Sequence, residues 1–202
     1  MAPKTSNRFE AETSKARTVK RSPRERLLDA ATELFYAEGI QSVGIDRVIE
    51  RAGVAKASLY STFGSKEQLV CAYLDERRAQ TVNRIRAATD AVDDPVQKIL
   101  AVFEAQARLF EQRDFRGCAF NAAAAEAPPG SRIEQATRSY RQDMRALLTD
   151  LARQAGARDP ELLASQLQLI YDGGGIAARS SRGADVAPAR AAVETLIRVA
   201  TQ

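Results

Sequence analysis

Residues 54–66 read VAKASLYSTFGSK, and the fold turns on what this stretch is for. Its helical part, roughly 56–61, is under about two turns long. Isolated helices that short do not persist in water, because nucleation costs more than so few hydrogen bonds return. Lys56, Ala57, Ser58, Ser61 and Thr62 offer little to a core. Leu59 and Phe63 stand one turn apart and share a side. The segment therefore needs a support behind it, and it leaves a small, polar face in front.

The support is written upstream. SPRE is a helix start: Ser22 can cap, Pro23 suits the first helical position and Glu25 closes a capping box. Leu27, Ala31, Leu34 and Phe35 then fall on one face, and Gly39 is expected to end the helix in a left-handed cap. IDRVIERA predicts a second helix over 45–52, with Ile45, Val48 and Ile49 inward and Arg47, Glu50 and Arg51 outward. Gly53 can take positive φ. Helix, glycine-containing turn and helix make the helix-turn-helix pattern. Leu59 and Phe63 would close it by packing on Leu34, Phe35, Val48 and Ile49. Downstream, Ser65 and Gln68 predict a second capping box and a helix from Lys66 toward Thr89. Its polar stripe, beside Leu69, Tyr73, Val82 and Ile85, suits a connection between two domains.

The remaining chain reads as further helices. Asp94 and Pro95 open one over about 95–112, with Leu100, Phe103, Ala107 and Phe110 on its apolar face. DFRGCAFNAAAAEAPPG predicts a short helix between irregular ends. Ser131 starts a helix to about Ala155 that carries Ile133, Tyr140, Met144, Leu147, Leu148 and Leu151. DPE at 159–161 caps another to about Ser180, and Asp185 is expected to start the last, with Val193, Leu196 and Ile197 inside. Gly173, Gly174 and Gly175 each cost about 1 kcal/mol relative to Ala inside a helix. They mark either a close backbone approach or a kink or helix end. With no period-2 run, the expectation is an all-α chain of about nine helices.

Composition narrows the function. The chain has 202 residues, 45% of them hydrophobic, enough for a real core. Net charge is +4, and Lys4, Arg8, Lys15, Arg17, Lys20 and Arg21 crowd the start. A basic arm over 1–20 suits a polyanion, and equally a solvated tail. No apolar run marks a signal peptide or a membrane span, and two scattered thiols, Cys71 and Cys118, suit a reduced, cytoplasmic protein with no membrane partner. Without His, a Cys/His zinc site or a His-based triad is excluded, and no metal or cofactor is expected.

The run ATELFYAEGIQSVGIDRVIERAGVAKASLYSTFGSKEQLV resembles the DNA-binding domain of TetR-family transcriptional regulators. The carrying elements are the A..LF...G first helix, the segment I..RAGV.K..LY..F.SKE.L and the long helix after it. The resemblance implies a DNA-binding domain over 21–81 with a helix-turn-helix at about 44–63, an effector-binding and dimerisation domain over 82–202, and a homodimer on palindromic double-stranded DNA. Carried over by position, base contact falls on Lys56, Ala57 and Ser58, backbone contact on Tyr60, and phosphate binding on Lys66. Gly44 replaces the usual capping Ser or Thr, so phosphate contact there comes from backbone. Ser61 and Thr62 stand where longer side chains are common, and their hydroxyls can reach phosphate oxygens. Tyr60 also admits a core reading, and Lys66 a solvated one. RGCAFNAAAAEAPPGS resembles a segment that borders the effector pocket in one subgroup, which places Phe103, Phe110, Phe115, Cys118, Phe120, Asn121, Tyr140 and Tyr171 near a small-molecule cavity. The plain alternative is that these aromatics are core and Cys118 an inert packed thiol rather than a redox sensor. The last two helices would form the dimer interface.

The reading that follows is a ligand-responsive homodimeric repressor and not an enzyme. An effector-independent or architectural DNA-binding protein is the alternative, and it predicts sequence-tolerant binding.

Overall fold

A computed structural model describes residues 21–180 and 187–202. The arm over 1–20 and the helix start at Asp185 lie outside the described residues. Among the described residues the chain is all-α, with nine helices and no strand. They are α1 (Pro23–Glu38), α2 (Ile45–Ala52), α3 (Lys56–Phe63), α4 (Lys66–Thr89), α5 (Pro95–Phe110), α6 (Ala119–Glu126), α7 (Arg132–Gln154), α8 (Pro160–Ser180) and α9 (Ala187–Thr201). None of them is long and apolar enough to cross a membrane.

The first three helices close around a small core. Leu27, Ala31, Leu34 and Phe35 of α1 meet Val48 of α2 and Leu59 and Phe63 of α3, all buried. The capping box of α1 is complete: the Glu25 amide donates to Ser22 Oγ at 3.2 Å and the Ser22 amide to Glu25 Oε2 at 2.7 Å. The Ser22 amide first, and then the Ser22 hydroxyl donating to the same carboxylate at 2.9 Å, hold the Glu25 carboxyl below its ordinary pKa. At Gly53 the backbone is left-handed, φ 61°, which turns the chain sharply from α2 into α3. Arg26 Nη1 fastens that turn by donating to Gly53 O at 3.1 Å.

Five local expectations change. Gly39 has positive φ but not the left-handed helical cap: at φ 92°, ψ 155° it turns extended, because the chain must run on to meet α6. A Cβ there would stand 3.0 Å from Glu126 Oε1. At α4 only half a capping box forms: Ser65 Oγ accepts from the Gln68 amide at 3.1 Å, while the Gln68 side chain lies over Gly64. Val82 faces outward, 38% exposed, whereas Leu69, Tyr73 and Ile85 are buried. α5 ends at Phe110, and α3 runs two residues past Ser61 to Phe63.

α4 leaves the first core and packs along α5 and α7, and α7 pairs with α8, on which α9 lies. Ile99, Val102, Leu148, Leu163, Leu167 and Val193 continue the same buried cluster into these helices. α8 stays helical through its glycines, so they neither end it nor break it. Gly174 provides the closest approach: a Cβ there would meet Gln106 Oε1 at 3.4 Å and the Phe110 ring at 3.6 Å. At Gly173 nothing lies within 4 Å.

Candidate functional site

α3 is anchored from behind. Leu59 is fully buried and Phe63 nearly so, with the Arg24 guanidinium 5.5 Å above the Phe63 ring. In front, Lys56, Ala57, Tyr60, Ser61 and Thr62 are exposed and Ser58 is half-buried. Tyr60 is 48% exposed, unlike Leu59 and Phe63 behind it. Gly44, the residue before α2, is exposed at φ −73°, ψ 155° and caps α2 with backbone alone.

The polar groups on this surface already have partners. Lys56 Nζ donates to Asp46 Oδ1 at 2.8 Å, and that bond raises its pKa. Arg47 forms a forked pair with Glu38, and Arg51 reaches Glu33 at 2.6 Å. All three pairs are solvent-exposed, so a stronger anion can displace the acid at small cost. Thr62 Oγ1 donates to Ser58 O at 2.6 Å and Ser61 Oγ to the same carbonyl at 3.2 Å. Their donors are turned back into α3 and must rotate before either hydroxyl can hold a phosphate oxygen. Lys66, in the first turn of α4, is half-buried, and that burial lowers its pKa while the Glu126 carboxylate acts in the opposite sense.

A second feature lies between α4, α5, α6, α7 and α8. A cavity of about 180 Å³ is lined by Phe110, Phe115, Cys118, Phe120, Tyr140 and Tyr171. Asn121 does not line it, and Phe103 faces instead a groove between α5, α8 and α9, packing edge-on against Tyr171 at 6.0 Å. Phe120 and Tyr140 stack with centroids 3.6 Å apart, and Phe110 meets Phe115 at 5.0 Å. The polar stripe of α4 turns Arg77, Gln80, Thr81 and Arg84 toward the same space. By its polarity that stripe reads in the sequence as a connector between domains. Its spacing of three and four from Tyr73 onward is the signal that it faces inward. Burial pushes the Cys118 thiol and the Tyr140 and Tyr171 phenols above their ordinary pKa values, so all three are neutral at pH 7. A thiol kept protonated this way is a poor nucleophile.

The cavity wall is tied to the helix-turn-helix. Tyr36 of α1 donates its hydroxyl to Gly117 O at 3.1 Å and accepts from the Arg116 amide at 3.0 Å. The Arg77 guanidinium covers the Tyr36 ring at 3.9 Å. Glu126, at the end of α6, accepts from the Gln41 amide at 2.6 Å, and Gln41 Nε2 donates to Glu126 O at 3.1 Å. Nothing local in the sequence marks Tyr36 or Glu126, since each acts on residues some eighty positions away.

The family model for bacterial regulatory proteins of the tetR family matches residues 27–73. The crystal structure of a TetR-family transcriptional regulator from Streptomyces coelicolor superposes with a TM-score of 0.85 at 32% identity, covering 89% of this chain and 96% of that one. The chain belongs to the TetR family. Among curated TetR-type relatives, the HTH-type transcriptional regulator LmrA of Bacillus subtilis is 37% identical over 79 residues, 39% of this chain and 42% of LmrA. The HTH-type transcriptional activator FasR of Mycolicibacterium smegmatis is 38% identical over 82 residues, 41% of this chain and 37% of FasR. The chain thus spans less than half the length of LmrA and of FasR, while its likeness to the Streptomyces protein runs through both halves. It is a TetR-family, DNA-binding transcriptional regulator, and the residues that the family model matches run from α1 through the helix-turn-helix into α4.

Proposed function

We propose that this chain is a cytoplasmic, homodimeric repressor that binds a palindromic operator through α3 and is released by a small effector. It acts by binding and performs no catalysis. The observation that carries the reading is α3 itself: a two-turn helix whose apolar residues Leu59 and Phe63 are buried while Lys56, Ala57 and Tyr60 are left outside. Small side chains at Ala57 and Ser58 let the backbone approach base edges in the major groove. Lys56 exchanges Asp46 for a base or phosphate, Tyr60 reaches the backbone, and Lys66 meets a phosphate at the α4 N-terminus, where the exposed amides favour anions. Gly44 adds the backbone amides at the start of α2, and Ser61 and Thr62 contribute after their hydroxyls turn.

Two chains are needed because one α3 reads only a half-site, and half-sites lie about 34–36 Å apart, one DNA turn. Support for the dimer comes from Leu162, Leu169 and Ile176 on α8, each more than half exposed and spaced by seven, beside the open flank of Gly173. An apolar stripe of that spacing fits a partner helix. Release follows from the ties at Tyr36 and Gln41. A ligand that moves the wall at Gly117–Phe120 shifts α1 and the loop before α2, and so the separation of the two α3 helices. The size of that effect is the ligand's differential affinity for the two arrangements.

Selection from a pool of random duplexes tests the reading. A two-fold symmetric consensus supports it. Recovery without any consensus favours the architectural alternative, in which backbone contact supplies the whole affinity.

A further inference from the structure

The polar side of the cavity between α4 and α8 carries an unbalanced charge. Arg77 and Arg84 both line it, and neither forms an ion pair among the described residues. Arg77 is occupied, with its face on Tyr36 and Nη1 donating to Gln80 Oε1 at 3.3 Å. Arg84 is only partly so: its Nη2 has a long hydrogen bond of 3.4 Å to Thr81 Oγ1 and its side chain bonds the Tyr171 hydroxyl, while its Nε is buried and makes none. A buried guanidinium donor without a partner is costly, and a planar fork of donors is shaped for a carboxylate. Tyr171 bonds Arg84 and Tyr140, and Tyr140 bonds Thr81, so their protonated hydroxyls must turn from these partners to donate to the same oxygens. The one acid on the lining, Asp114, is solvent-exposed. Gln80, Thr81, Gln106 and Gln112 also line the space, and its apolar side is the Phe110–Phe115 pair and the Phe120–Tyr140 stack.

We propose that this cavity binds a small organic monocarboxylate about the size of one aromatic ring, with its carboxylate on Arg84 and its apolar body against the two aromatic pairs. The size follows from the volume: about 180 Å³ is slightly more than the roughly 150 Å³ that takes up benzene in an engineered protein cavity. The proposal rests on reading this cavity as the effector site, and it adds the ligand's class.

The test is a thermal-shift and calorimetric titration of the free protein with benzoate, phenylacetate and hexanoate, each against its neutral amide. At least one acid is expected to raise the melting temperature and to bind well above its amide, because only a native-state ligand stabilises. Arg84→Gln should weaken that acid's Kd by roughly ten- to a hundredfold, since a buried charged hydrogen-bond partner is lost. Arg84→Lys should retain part of the binding, as it keeps the charge but not the fork. Equal stabilisation by acid and amide, no stabilisation by any of the three acids, or an unchanged Kd in Arg84→Gln overturns the proposal. The acid–amide comparison needs no variant to fold and no DNA. A stabilising acid that leaves operator affinity unaltered would keep the anion site and sink the effector reading instead.

Discussion

At the scale of single residues, the surface of α3 combines one exposed aromatic with cations that are already paired. Tyr60 stands free, while Lys56 is hydrogen-bonded to Asp46. Lys66 is different, since burial rather than a bonded acid dominates its surroundings. Lys66→Ala is expected to weaken binding to all duplexes alike and to lower the slope of log K against log salt by about 1. Titrations at three salt concentrations read this directly, and a changed sequence preference would contradict the phosphate role. Gly44 supports a second prediction. Its backbone is open to any residue, and nothing stands within 4 Å of a Cβ there. Gly44→Ser should raise unfolding free energy by roughly 0.5–1 kcal/mol, from a side-chain cap and a less flexible unfolded chain. Urea denaturation measures it, and a loss of stability would show that the N-terminus of α2 needs its bare backbone.

At the scale of elements, α3 divides cleanly into an inner and an outer side. Leu59→Ala should cost about 2–5 kcal/mol, because a fully buried leucine leaves a cavity. Tyr60→Ala should cost under about 1 kcal/mol in stability yet weaken DNA binding. Denaturant unfolding beside a binding titration separates the two, and equal stability losses would mean that Tyr60 is core after all. The inner side was legible in the sequence, since Leu59 and Phe63 stand one turn apart on one face, whereas an aromatic at Tyr60 suits either side. The capping residues Ser22, Ser65, Asp94 and Ser131 were legible too, because caps are local chemistry. What remained hidden was longer in range. The turn at Gly39 is extended because Glu126 must approach it, and only the tertiary fold brings α6 there. Arg26, which reads as one more basic residue near the arm, fastens the α2–α3 turn. Asn121 and Phe103 show the limit of placing a cavity by composition. Both belong to the right region, but their helical phase turns them away from the space that Phe110, Phe120 and Tyr171 share.

At the scale of the whole molecule, the account needs two chains and a path between their cavities and their α3 helices. The stripe of Leu162, Leu169 and Ile176 is the exposed surface that a second chain would cover. Leu169→Glu, at a site 69% exposed, should leave the monomer's fold intact and shift the dimer toward monomer, because a charge at the centre of an apolar seam is costly when buried. Analytical ultracentrifugation reads the change, and an unaltered dimer would move the interface elsewhere. The proposed path runs through Tyr36, bonded to Gly117 on the cavity wall, and Gln41, bonded to Glu126 at the end of α6. The measurement that bears most directly on the central claim is the ratio of affinities for a selected palindrome and a scrambled duplex of equal length, at about 150 mM salt. A helix-turn-helix dimer that reads bases predicts a ratio on the order of 10³ or more. A ratio near one would contradict it.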